Sequence, residues 1–163
     1  MDYLLTEEQI MIRDLARQIA VEKIVPVRAE LDEQNKYPRD IMKAMAQADL
    51  FALFIPEEYG GLGKKSLELC ITVEELSKAC VGVATTYASS ALGTYPILLY
   101  GSEEQKKKFL PDVASGKSLV AFGLTEANAG SDASGIQTTA KLEGNEYVLN
   151  GTKQWITNGG EAE

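Results

Sequence analysis

The sequence predicts an α+β protein: an all-helical N-terminal domain, residues 1–117, followed by part of an antiparallel β-barrel or sandwich domain, residues 118–163. Three observations carry this. Apolar residues recur at helical spacing through roughly the first hundred positions, the period shortens after Gly116, and turn signals then fall at "EGN" and at Asn150-Gly151. Helices first and strands second, without alternating βαβ units, indicate segregated layers or separate domains.

The elements follow in chain order. Thr6 with Gln9 forms a capping-box signature, and Ile12, Leu15, Ala16 and Ile19 then recur at helical spacing until Pro26. A second helix starts near Pro38, which suits a first helical turn, and buries Ile41, Met42, Met45 and Ala48 before "LFALFIPEEYGGLG" breaks the pattern. A third begins at Ser66 with Leu69, Val73, Leu76 and Cys80 along one stripe. The run from Val81 to Tyr100 carries no charge and is rich in small residues, which predicts a helix buried on most sides, kinked or restarted by Pro96. Ser102 with Gln105 repeats the capping box, and Gly116 stands where a helix end calls for a left-handed residue. Beyond it "SLVAFGLT" reads as a first strand, and the later segments "IQTTAKL" and "EYVLN" as further strands. The Asn150-Gly151 pair is the strongest short hairpin signal among them.

Composition narrows the function classes. The apolar share of 45% supports a real core, yet no window approaches the ~18 apolar residues of a membrane span. With 24 acidic against 16 basic residues the net charge is −8, which disfavours nucleic-acid binding. Cys70 and Cys80 fall at apolar helical positions and encode neither a disulfide framework nor a zinc site. Histidine is absent, so no imidazole triad is encoded and redox or transfer chemistry must be borrowed from a cofactor. The segment "MDYLLTEEQ" has neither a signal core nor a transit pattern, which predicts a cytoplasmic protein or a mature organellar one such as a mitochondrial matrix enzyme.

The stretch "GLTEANAGSDASG", Gly123 to Gly135, has two readings. Clusters of Gly, Ser, Asn and Asp are most often plain turns, and Trp and turn-forming Ser are most often structural. The alternative is a ligand loop at a strand end, where backbone N–H groups and the hydroxyls of Thr125 and Ser131 meet a polar group that the glycines allow close. Trp155 and Thr157 add an aromatic face and a hydroxyl two residues apart, on one side of a later strand. Together they suit a flat heterocycle with polar edges.

Here the sequence resembles the acyl-CoA dehydrogenase family. "GLTEANAGSDASG" is similar to its flavin-loop signature, and "NGTKQWITNG" to its second flavin-contacting strand. "IPEEYGGLG", "VEELSKA", "YGSEEQKKKFLPDVASGK" and "AFGLTE" follow the family's order and spacing over essentially the entire chain. Ala127 and Asn128 stand where the family often has Pro-Gly, a change in the turn and not in the hydroxyls. The resemblance implies that FAD and an acyl-CoA thioester bind between the helical domain and the β-domain. By this analogy Phe122, Gly123, Leu124 and Thr125 contact the cofactor, Ser131 serves both the cofactor loop and the substrate's pantetheine arm, and Trp155 with Ile156 packs against the isoalloxazine. The Thr157 hydroxyl would approach flavin N5.

The implied reaction is α,β-desaturation of the thioester: a carboxylate takes an α-proton while the β-hydride passes to the flavin. The family places that base, a Glu, in a C-terminal helical domain, so it is expected beyond Glu163, with Glu126 and Asp132 as loop scaffold. Residues 1–163 are then the N-terminal part of a longer enzyme, inactive alone, whose full-length form is a homotetramer passing electrons to an electron-transferring flavoprotein. Two alternatives stay open, an acyl-CoA oxidase on the same fold and a truncated non-catalytic interaction module. Retention of Thr125, Ser131, Trp155 and Thr157 together weighs against the second. The small residues of "TTYASSALGTY" would set part of the substrate pocket's floor.

Overall fold

The computed structural model describes residues 4–162. Helices α1 Glu7–Ile19, α2 Arg28–Glu33, α3 Arg39–Gln47, α4 Ser66–Ala79, α5 Val81–Tyr100 and α6 Glu103–Ala114 come first. A hairpin follows, β1 Thr139–Glu143 paired antiparallel with β2 Glu146–Asn150. The order of helices before strands is the one the sequence predicts. Among the described residues no helix is long and apolar enough to cross a membrane.

Both expected capping boxes form. The Thr6 hydroxyl accepts the Gln9 N–H at 3.2 Å while Gln9 accepts the Thr6 N–H at 3.0 Å, and Ser102 and Gln105 exchange the same pair at 3.2 and 2.8 Å. Two orphan donors are thus satisfied at each helix start. Helix α1 buries Ile12, Ala16 and Ile19, whereas Leu15 lies on the edge of the stripe and is exposed. It does not run to Pro26 as an α-helix: Ala20–Ile24 forms a π-helical turn, and the short α2 follows, an element the periodicity did not predict.

Helix α4 departs from its expected stripe. Its most buried face carries Glu68, Ile71, Thr72, Glu75, Leu76 and Ala79, with Leu69, Val73 and Cys80 only partly buried beside it. Two carboxylates are tolerated there because α1 supplies their partners. Gln9 donates to Glu68 at 2.8 Å, and Arg17 grips both oxygens of Glu75 at 3.0 and 3.1 Å, with Lys78 adding a bond of 2.7 Å. These contacts hold both carboxyls below the usual carboxylate range, the first through Gln9 and the second through Arg17. A polar seam therefore locks α1 to α4.

Helix α5 is the centre of the helical body. Tyr87 is fully buried, packs edge-on against Phe51 and Phe54 with ring centroids 5.3 and 6.2 Å away, and donates its hydroxyl to the Leu50 carbonyl at 2.7 Å. One side of α5 is open, with Leu92, Pro96, Leu99 and Tyr100 exposed, so the helix is less enclosed than its uncharged composition predicts. It also runs unbroken through Pro96, which stands on that open side near the exposed Leu92, whose carbonyl loses its N–H partner. Gly93, on the buried side, lets the next segment lie against the helix: a Cβ there would stand 2.5 Å from Val120 and 3.1 Å from the Ala121 oxygen. Gly116 adopts the expected left-handed conformation, φ +68°, after α6.

The strand expectations need more correction. "SLVAFGLT" is extended but forms no ladder among the described residues, because its link to the later chain is a single backbone bond, Gln154 N–H to Thr125 O at 2.9 Å. The hairpin turns at Gly144-Asn145, within the expected "EGN" signal and with Gly144 at φ +65°, whereas Asn150-Gly151 merely ends β2. Residues after Gly151 pair back towards Leu124 and Thr125 instead of β2, so the Asn-Gly signal lacks the returning strand it needs. The register pairs Ala140 with Leu149 and Leu142 with Tyr147, which collects these side chains on one exposed apolar face.

Candidate functional site

Two chain segments meet over α5. Phe122–Glu126 arrives from the Gly93 contact, and Lys153–Thr157 runs beside it, joined by the Gln154–Thr125 bond and by Lys153, which donates to the Leu124 carbonyl at 2.9 Å and to Glu126 at 2.8 Å. Glu126 is buried and receives two further N–H donors, Gln137 at 2.8 Å and Thr138 at 3.0 Å. Backbone bonds between Glu126 and Ala129, 2.9 and 3.2 Å, close the Ala127-Asn128 turn. Asp132 accepts the Ser134 N–H at 3.2 Å, an Asx-type turn that shapes the rest of the loop.

The Lys153 ion pair and these N–H donors depress the Glu126 pKa from an ordinary 4.5 to about 2. A depressed carboxylate contributes stability that is complete above its unfolded pKa and lost as pH falls through the folded one. The loop anchor is therefore expected to loosen between pH 4.5 and about 2. The sole tryptophan stands two residues from Lys153, so its fluorescence reads the transition, and a signal flat across that window would contradict the anchor.

The two segments and α5 enclose a cavity of about 290 Å³. Phe122, Leu124 and Thr125 form one wall, Trp155, Ile156 and Thr157 the other, and Ser89 and Leu92 of α5 the floor. Six of the sequence's candidate residues thus converge. Gly123 is not part of the lining, a Cβ built on it would stand 3.4 Å from Lys153, and Ser131 is exposed on the loop outside the cavity. Trp155 and Thr157 are not on a strand. Trp155 is left-handed, φ +60°, and 85% exposed, and the chain turns from Thr157 onward. A bulky residue held there costs about 1–3 kcal/mol, and such outliers concentrate at functional sites.

Hydroxyls at Ser89, Thr125 and Thr157, an indole, and apolar walls make a lining that fits a flat heteroaromatic ring with polar edges. The sequence reading missed Lys153, whose signal was the need of a buried loop carboxylate for a cation, and Asn158, whose signal was an Asn before Gly-Gly.

Residues 6–117 match the family described as acyl-CoA dehydrogenase, N-terminal domain, and residues 121–163 match acyl-CoA dehydrogenase, middle domain. The chain belongs to the acyl-CoA dehydrogenase family. A short-chain specific acyl-CoA dehydrogenase of Clostridium acetobutylicum is 44% identical over 165 residues, covering 100% of this chain and 43% of that protein. Butyryl-CoA dehydrogenase from Megasphaera elsdenii superposes with a TM-score of 0.92 at 40% identity, over 99% of this chain and 44% of that one. A chain in a structure of the electron transferring flavoprotein of Acidaminococcus fermentans superposes at 0.94 with 44% identity, over 99% of this chain and 43% of that one. The chain spans about 42% of the length of the curated relatives it matches.

Proposed function

We propose that the protein is an FAD-dependent acyl-CoA dehydrogenase that introduces an α,β double bond into an acyl-CoA thioester and passes the electrons to an electron-transferring flavoprotein. One observation carries the reading: both sequence segments similar to the family's flavin motifs line the same cavity. The bound flavin would supply the acceptor for the substrate's β-hydride. Thr125 and Thr157 would hydrogen-bond its polar edges, while Phe122, Leu124, Trp155 and Ile156 cover its faces and exclude water. Ser131, outside the cavity, is assigned the cofactor loop and the thioester's polar arm.

The α-proton needs a base of raised pKa. Glu126 is held ionised by Lys153, and Asp132 is engaged with Ser134, so neither loop carboxylate suits that task. The base is assigned to a carboxylate outside residues 1–163, and the residues from 118 onward to the opening part of a β-domain. The electron-transferring flavoprotein as acceptor is supported by the likeness to the chain in the Acidaminococcus structure.

The complete FAD-loaded enzyme, with the base assigned outside residues 1–163, kept anaerobic and free of nicotinamide, is expected to lose its visible flavin band on addition of an acyl-CoA. A protein that is colourless and refuses added FAD would contradict the proposal.

A further inference from the structure

We infer that Asn158 is a positioning residue: its side-chain amide fixes the Trp155–Thr157 wall against α5 and thereby sets how well the cavity holds a flavin ring. The inference rests on the flavin reading above and names a residue that contacts neither ring nor substrate. Asn158 is 6% exposed, in a turn between the half-buried Thr157 and the exposed Gly159 and Gly160. Its two amide N–H groups are shared among three acceptors, the Thr86 carbonyl at 3.0 Å, the Val120 carbonyl at 3.2 Å and the Ser90 hydroxyl at 3.3 Å, and its amide oxygen accepts the Tyr37 hydroxyl at 3.2 Å.

These partners determine what the residue can be. Two carbonyls only accept, so the group facing them must donate twice, and the group facing a tyrosine hydroxyl donor must accept; a carboxamide has two N–H donors and an acceptor oxygen on one short side chain, where a hydroxyl has a single donor. The backbone is left-handed, φ +65°, a conformation Asn adopts at lower cost than most residues. One side chain thus ties the turn after Thr157 to α5, to the loop before α3 and to the segment entering the opposite wall at Val120. Thr86 and Ser90 flank Ser89, part of the cavity floor, so the amide references wall and floor to the same helical turn. The exposed indole of Trp155 has no comparable anchor of its own in a core.

Asn158→Asp keeps the shape and removes the donors, and Asn158→Gly keeps the left-handed backbone and removes the amide. Tyr59→Phe is the control: it deletes a 2.8 Å bond to Glu103, away from cavity and clamp. FAD dissociation constants are read from flavin fluorescence, and the mobility of the sole tryptophan, Trp155, from anisotropy decay without ligand. Both Asn158 variants are expected to bind FAD at least tenfold more weakly, with faster Trp155 motion, while Tyr59→Phe changes neither. FAD affinity within twofold of wild type in either Asn158 variant, or an equal loss in the control, would overturn the inference. Wild-type protein that takes up no FAD refutes the flavin reading instead, and anisotropy then decides the clamp: unchanged Trp155 motion in both variants overturns it, faster motion upholds it.

Discussion

Tyr87→Ala is expected to lower the unfolding free energy by about 3–5 kcal/mol, the usual cost of emptying a large buried aromatic site. The ring is fully buried between Phe51 and Phe54, and its hydroxyl is the partner of the Leu50 carbonyl, which the substitution would leave unpaired in the core. Burial alone pushes the phenol pKa up, so the group stays protonated across the accessible range and keeps donating. Urea denaturation followed by far-ultraviolet circular dichroism measures the loss. A change under about 1 kcal/mol, the size of a typical single substitution, would mean that α5 does not centre the helical body.

Thr157→Val is expected to act on chemistry and not on stability. The hydroxyl lines the cavity and Thr157 is only partly buried, so the near-isosteric change leaves packing intact. Under the proposed function it removes one hydrogen bond to the flavin, worth about 1–3 kcal/mol where it strengthens in the transition state, or roughly 5- to 150-fold in rate. Stopped-flow reduction of the complete loaded enzyme by an acyl-CoA reads the effect, with thermal unfolding as the control. Unchanged reduction kinetics would remove Thr157 from its assigned role.

The helical half was legible because its signals are local. The Thr6–Gln9 and Ser102–Gln105 boxes and the left-handed Gly116 each depend on residues within one turn. The face of α4 was not legible, since Glu68 and Glu75 are buried only because Gln9 and Arg17 stand opposite, 59 and 58 residues away. Of the strand assignments, "IQTTAKL" and "EYVLN" hold as β1 and β2, joined by a local turn at "EGN", whereas "SLVAFGLT" and Asn150-Gly151 carry strand and turn propensity without a neighbouring strand to satisfy it. At the cavity, residue types singled out Thr125, Trp155 and Thr157 and the family resemblance added Phe122, Leu124 and Ile156; all six line one cavity, though without the strand geometry expected for Trp155 and Thr157. What brings those walls together is the Lys153–Glu126 pair, the Gly93 contact and the Asn158 amide, all of them long-range.

The central claim is that the cavity over α5 is a flavin-ring site, and Trp155 offers a direct reading of it as the sole tryptophan, on the cavity wall. Titrating the protein with FAD while exciting the indole is expected to quench its emission saturably, with the flavin's own fluorescence falling in parallel, and Leu92→Phe in the floor, which adds bulk without a second indole, is expected to weaken both by filling the space. FAD binding that leaves Trp155 emission unchanged, or that survives Leu92→Phe undiminished, would place the flavin elsewhere and contradict the account.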